Sequence, residues 1–301
     1  MLASQDYIDI IKSGVRNWNK WREENKTSKF NLMKADLQGA YLWGANLERA
    51  NLVDANLGKA NLAGANLEGA NLGKANLWGA NLEGANIGKA NLEEANLGGA
   101  NLEGANLGKA NLGRANLWEA NLEGINLWGA NLGKANLEGA NLVDGNLGKT
   151  NLEEANLVGT NLAGVDLWKA NLGKANLGKA NLRGADLQAA YFRKANLEEA
   201  NLGKVNLAGA NLAGANLRGV DLWRANLWRA NLRGVDLSKV KSFYKAKLDP
   251  GILSEIKTKW PEKLATILDV RLRDWVIDDT LLEDIKKPDW QGWPKEEDQG
   301  K

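Results

Sequence analysis

Residues 100–124 read ANLEGANLGKANLGRANLWEANLEG, one five-residue unit written five times. Each unit is Ala, Asn, Leu and two variable residues. Followed in both directions in steps of five, it persists without insertion or deletion from Leu32 to Leu237, forty-two repeats. The Leu position departs only at Ile87 and Phe192. The Ala position departs at Phe30, Ile125, Gly145, Thr150, Thr160, Val165, Val205, Val220 and Val235. The Asn position departs at Asp36, Tyr41, Asp166, Asp186, Tyr191, Asp221 and Asp236.

A period of five fits neither the helical period of 3.6 nor the strand period of 2. A helix would smear Leu around all its sides, and the Asn and Gly content would weaken it. A strand would send successive Leu residues to opposite faces. A chain that turns a corner every five residues keeps Leu and Ala inside and Asn outside. The two variable residues then form the corner, where glycine is welcome because turns often need positive φ.

The pattern is similar to the pentapeptide-repeat family, A-(N/D)-L-x-x, over about 210 of the 301 residues, and it resembles the family's cyanobacterial members. The resemblance implies an all-β fold, a right-handed quadrilateral parallel β-helix with four repeats per coil. Forty-two repeats would then make about ten and a half coils, and a rod about 50 Å long at roughly 4.8 Å per stacked strand. Leu residues twenty apart would form apolar columns, and Asn over Asn would form amide ladders. One coil cannot bury its own core, so stability comes from neighbours, and the open end coils are the hazard.

Both ends read differently from the rod. Residues 1–29 form an expected N-terminal helical cap, with one amphipathic helix over 4–26, Ser4 as its cap, and Ile8, Ile11, Val15 and Trp18 at helical spacing. The rod is expected over 30–240, and a mainly helical C-terminal cap and appendage over 241–301. There the phase slips but keeps Phe243 and Leu248. Asp249-Pro250 marks a helix start. Residues 250–260 and 262–272 read as short helices, 274–285 as a strand-turn-helix or a further helix, and the polar tail carries Trp290 and Trp293.

Composition narrows the chemistry. Lys and Arg number 39 against 37 Asp and Glu, a net charge of +2, with neither His nor Cys. That removes the commonest general base, thiol nucleophiles, disulfides and zinc-finger ligands. Ser238, the only Ser in the repeats, has no His to activate it. GNLGKT (145–150) lacks the first Gly of a phosphate loop, with Val143 in its place. The sequon at Asn25 has no secretory signal before it, and no stretch reads as membrane-spanning. No enzyme, metal site or cofactor is expected.

Surface residues carry what remains. Glu94 stacks between Lys74 and Arg114, and Glu154 between Lys134 and Lys174, as structural charge pairs. Glu83, Glu103 and Glu123 stack into an acidic ridge beside Gly84, Gly104 and Gly124. It reads either as a groove for a basic segment or as carboxylates fanning into water. Residues 31–160 hold nine basic and fourteen acidic residues, a net of −5, whereas 161–240 hold twelve and six, a net of +6. Seven Trp occupy corners: 43, 78, 118, 128, 168, 223 and 228. Trp78 and Trp118 flank Gly98, and Trp128 and Trp168 flank Gly148. Each pair reads either as a cleft or as aromatic cover over bare glycine backbone. Arg218, Trp223, Arg224, Trp228, Arg229 and Arg233 fall within one coil. They suit an acidic partner or the acidic residues Asp278, Asp279, Glu283 and Asp284 of the same chain.

The expected function is a non-enzymatic scaffold that binds a protein through the rod, the appendage or both, as a monomer or weak homo-oligomer in the cytoplasm. Neither a membrane nor a nucleic acid is an expected partner. Two other classes stay open. By resemblance, some family members mimic duplex DNA and regulate gyrase, a topoisomerase. This sequence departs from them in its near-neutral rod, unbroken repeats and large C-terminal appendage. The other class is a carbohydrate- or ligand-binding module built on the Trp clefts.

Overall fold

A computed structural model describes residues 4–25 and 30–259. From Asn31 onward the chain pairs in parallel with itself at a spacing of twenty, from Asn31↔Asn51 to Asn211↔Asn231. Four pentads therefore complete one turn, and the fold is a quadrilateral parallel β-helix. Its first face carries the column of Leu32, Leu52 and so on. The second carries that of Leu37, the third that of Leu42 and the fourth that of Leu47.

The repeat at 101–105 shows why each letter is needed, because all five of its main-chain N–H groups have a partner. Asn101 donates to Ala80 of the coil before (2.9 Å), and Leu102 to Asn121 of the coil after (2.7 Å). Gly104 also donates forward, to Glu123 (2.9 Å), and Ala105 closes the corner onto Leu102 (3.0 Å). The N–H of Glu103 points outward and is taken by the Asn101 side-chain oxygen at 3.2 Å. Asn is thus an acceptor for its own corner before it is a ladder rung. Asp does the same work at Asp166 and Asp221. The Asn amide nitrogen adds the rung, as in the run Asn171–Asn151–Asn131–Asn111–Asn91 on the first face.

Glycine serves two different purposes at the corner. From Lys34 to Gly234 the second corner residue lies in the left-handed region, as at Gly104 (φ 62). Positive φ at the second central residue is the signature of a type II turn. Lys, Arg, Glu, Asp and Ala also occupy this position, as at Lys109 (φ 59), against their own preference. At the first corner position φ is ordinary, and glycine there leaves room instead. A Cβ on Gly148 would collide with the Trp128 ring.

Inside, the Leu and Ala columns are buried, with Ala40 at the N-terminal end only partly so. Each buried Leu is worth about 1.5–3 kcal/mol relative to an exposed one. The exceptions to Ala are accommodated locally. Ile125 lies one coil below Gly145, whose added Cβ would meet the Ile125 Cγ2 at 3.3 Å. Thr150 and Thr160 are fully buried, and their hydroxyls donate to the Leu127 and Leu137 carbonyls, both at 2.9 Å.

The N-terminal segment is two helices rather than the single one expected over 4–26. α1 (Ser4–Lys12) and α2 (Val15–Glu24) are separated at Gly14, whose φ of 123 no helix allows. Tyr7, Ile11, Trp18 and Phe30 are buried and seal the end of the Leu columns. α2 takes the place of a missing coil on the fourth face. Trp18 Nε1 donates to the Asn46 carbonyl (2.8 Å), Asn19 Oδ1 accepts from the Asn46 N–H (2.8 Å), and Arg22 donates to the Glu48 carbonyl (3.2 Å).

At the other end, pairing does not stop at Val240. A 3-10 turn at Leu237–Lys239 takes up one residue, after which the spacing becomes twenty-one, in Asp221↔Ser242 and Asn226↔Lys247. Phe243 fills a Leu site, and the Ser242 hydroxyl accepts from the Tyr244 N–H as an Asn would. α3 (Pro250–Lys259) begins where the sequence predicts a helix. Asp249 Oδ1 accepts from the Ile252 N–H at 2.9 Å, and Ile252, Leu253 and Ile256 are buried. The expectations for 262–301, including Trp290 and Trp293, lie outside the described residues.

Candidate interaction surfaces

The corner tryptophans divide by face. Trp78 and Trp118 lie on the second face, 46% and 43% exposed. Trp78 leans toward Gly98, where an added Cβ would be 3.3 Å from its ring. Lys59 stands over Trp78, 5.2 Å from the ring centroid. Trp128 and Trp168 lie on the fourth face, and here the cleft reading is corrected. The two rings stack on each other across Gly148, centroids 5.8 Å apart and 17° from parallel, so no slot is left between them. Lys149 lies 5.2 Å from both rings and Lys169 lies 4.4 Å from Trp168. The arrangement is aromatic cover over bare backbone, and the cations stack on its rim.

The Arg and Trp group near the last coils does share one coil, but it surrounds that coil rather than forming one patch. Trp223 and Arg224 are on the third face, with Lys204 and Arg224 over the Trp223 ring at 5.1 and 5.3 Å. Trp228 and Arg229 are on the fourth, with Lys247 5.4 Å from the Trp228 ring. Arg218 is on the second and pairs with Glu198 at 3.7 Å. A twenty-residue coil spreads consecutive corners over four directions.

The acidic ridge of Glu83, Glu103 and Glu123 is exposed on the third face. Glu103 and Glu123 do not simply fan into water, because each also accepts from the Asn amide of the coil above, Asn121 at 3.2 Å and Asn141 at 3.3 Å. The charge pairs on the first face form as read. Glu94 lies 3.8 Å from Lys74 and 3.4 Å from Arg114, and Glu154 lies 3.5 Å from Lys134 and 2.9 Å from Lys174. The hydrogen bond and charge of Lys174, with Lys134 behind them, hold the Glu154 carboxyl below the usual carboxylate range.

Two grooves matter that the corner reading passed over. One, of about 610 Å³, lies between the Gly14 elbow and the first coil and is lined by Arg16, Tyr41 and Trp43. The other, of about 690 Å³, lies on the first face and is lined by Glu153, Lys169, Gly173, Lys174, Tyr191, Arg193, Lys194 and neighbouring Asn residues. Each contains a Tyr at an Asn position. The phenol oxygen, at the far end of a ring, does not take the corner N–H two residues on as the short Asn side chain does. Of all the first-corner N–H groups from Met33 to Ser238, only those of Trp43 and Arg193 have no acceptor among the described residues. The sequence signal was present in Tyr41 and Tyr191 as exceptions to Asn. Its meaning needed the hydrogen-bond role of Asn.

Among the described residues no group of His, Cys, Asp and Glu is arranged to hold a metal ion, and no helix is long and apolar enough to cross a membrane.

The family model described as pentapeptide repeats matches the chain in overlapping stretches that span 31–168 and 170–249. Among solved structures, the chain is similar to HetL from the cyanobacterium Nostoc sp. strain PCC 7120, described as a pentapeptide repeat protein involved in heterocyst differentiation regulation. Identity is 31%, covering 76% of this chain and 95% of that one, with a TM-score of 0.65. It is also similar to the pentapeptide repeat protein Rfr23 from the cyanobacterium Cyanothece 51142, at 35% identity over 36% of this chain and 63% of that one, with a TM-score of 0.22. QnrB1, a plasmid-mediated fluoroquinolone resistance protein, is 17% identical over 76% of this chain and 96% of that one, with a TM-score of 0.41. A comparison with curated proteins returned no match.

Proposed function

Because this chain belongs to the pentapeptide-repeat family, we propose that it is a non-enzymatic scaffold that binds a protein partner through its rod surface, its C-terminal segment or both. In this reading the rod is a right-handed β-helix of about ten coils, given forty-two repeats at four per turn. Helices cover both of its ends, and it works in the cytoplasm as a monomer or weak homo-oligomer. HetL, described as acting in heterocyst differentiation regulation, supports a regulatory setting for such binding.

The observation that carries the reading is the contrast between the two Trp pairs. Trp128 and Trp168 satisfy each other, whereas Trp78 and Trp118 stay exposed on a flat, stiff face. Exposed Trp on a rigid support is the kind of residue that anchors protein interfaces. The Trp223 and Trp228 corners, with Arg224 and Arg229, form a second candidate set near the C-terminal end.

The test is capture from the native host's lysate with three baits: the intact chain, Trp78→Ala/Trp118→Ala, and a chain ended after Lys259, which keeps α3 on the last coil. A prey held by the intact chain and lost with the Trp pair places the contact on the second face. A prey lost only on truncation places it in the C-terminal segment. A prey held equally by all three baits places the contact elsewhere on the rod, and absence of any specific prey on the intact chain counts against the scaffold reading.

A further inference from the structure

The first-face groove is a built variant of a motif that the rod also carries in plain form. Two stretches sixty residues apart run in parallel there. In the lower one, the first corner positions read Glu93, Gly113, Gly133. In the upper one they read Glu153, Gly173, Arg193. Asn131 in the lower stretch corresponds to Tyr191 in the upper. Lys134 has Glu154 above it as an ion partner at 3.5 Å, whereas Lys194 has Gly214 above it. On one framework, then, the upper stretch has gained an aromatic ring and a guanidinium and has lost a carboxylate.

It has also lost an acceptor. At Asn131 the side-chain oxygen takes the Gly133 N–H at 3.2 Å. At Tyr191 nothing takes the Arg193 N–H, which points out into the groove. Lys174 is shared with Glu154, but Arg193 and Lys194 have no carboxylate partner among the described residues. The groove therefore offers one outward main-chain donor, two uncompensated cations with Lys169 beside them, and a Tyr ring that is 53% exposed.

We propose that this groove binds a nucleoside polyphosphate. A phosphate oxygen takes the place of the missing carboxamide oxygen on the Arg193 N–H, and the Arg193 and Lys194 side chains hold the same phosphate chain. The base stacks on Tyr191 over the bare backbone of Gly173, in the way that bases stack on aromatic platforms. Glu153, which accepts from Asn171 at 3.4 Å, closes the far end to phosphate and sets the ligand's direction. A volume of about 690 Å³ is within the range of small-molecule sites. This inference is separate from protein binding on the other faces.

Titration calorimetry on the full chain tests it with three probes: ATP, adenosine and inorganic tripolyphosphate. We expect saturable binding of ATP at one site, with adenosine and tripolyphosphate each at least about tenfold weaker, since stacking and phosphate contacts both contribute. Tyr191→Asn/Arg193→Gly installs the residues that the lower stretch already carries, so the fold has a template for them, and ATP binding should fall at least about tenfold. Absence of saturable ATP binding at millimolar concentration overturns the proposal. So does ATP binding unchanged in the double variant, or tripolyphosphate or adenosine binding as tightly as ATP.

Discussion

At the scale of single residues, Gly145 is missing a methyl group because Ile125, one coil below, has three carbons too many for an Ala site. An added Cβ at Gly145 would lie 3.0 Å from the Leu142 carbonyl oxygen, 3.1 Å from Leu147 Cδ1 and 3.3 Å from Ile125 Cγ2, of which the Ile125 contact is the one that an Ala at 125 removes. Gly145→Ala should therefore lower stability by about 1–3 kcal/mol through overpacking. In an Ile125→Ala background the same change should cost far less. Denaturant midpoints for the four members of that cycle give the coupling, and equal costs in both backgrounds would refute the pairing. Both exceptions stand out in the sequence. That they answer each other follows only once twenty-residue stacking places one on the other. The Trp128–Trp168 stack is a similar case: spacing put both rings beside Gly148, but whether they left a slot or closed it depended on side-chain torsions that no repeat pattern encodes.

At the scale of elements, the N-terminal helices show what the periodicity could and could not carry. Apolar spacing over 4–26 predicts helix, and helix is found. The break came from Ser13-Gly14, where the Ser13 hydroxyl donates to the Ile10 carbonyl (2.7 Å) and Gly14 turns the chain. Without that elbow α2 could not lie along the first coil. Asn19 then acts as an imitation rung, accepting from the Asn46 N–H and donating to the Gly44 carbonyl (3.0 Å). Asn19→Ala removes both bonds and should cost about 1–3 kcal/mol. Because repeat arrays open from their ends, amide hydrogen exchange should quicken over 31–50 and stay unchanged over 100–160. Uniform loss along the rod would show that the lid is not a local device. At the C-terminal end the phase slip was legible. The resumption of pairing at a spacing of twenty-one was not, because Ser242 had to be seen acting as an Asn.

At the scale of the molecule, the first face carries two charge triplets, Lys74–Glu94–Arg114 and Lys134–Glu154–Lys174, stacked along the rod. Its strongest rung titrates. Lys174, by hydrogen bond and charge, depresses the Glu154 carboxyl below its ordinary value, and Glu154 in turn raises Lys174. A depressed carboxyl contributes stability above its unfolded value and loses it as pH falls through the folded one. A raised lysine contributes fully below its ordinary value and loses it as pH rises through the folded one. Glu154→Gln should therefore lower the melting temperature at neutral pH. Parent and variant should converge as the pH falls below the carboxylate range, and again as it rises past the lysine range. Parallel curves across both limits would show that the rung carries no net interaction. The pair is exposed and screened by salt, so the neutral-pH difference should shrink in concentrated salt.

The spacing of twenty also separates length from bearing. One extra pentad inserted between Trp118 and Tyr191 would leave every later Leu inside and every later Asn outside. Everything beyond it would turn by a quarter of a revolution. Tyr191 would then leave the first face for the second, on the same side as Trp118. Four extra pentads would restore the original bearing and add only distance. Such a rod can gain or lose repeats without unfolding, and each change re-aims its surface features as a dial does, in steps of ninety degrees.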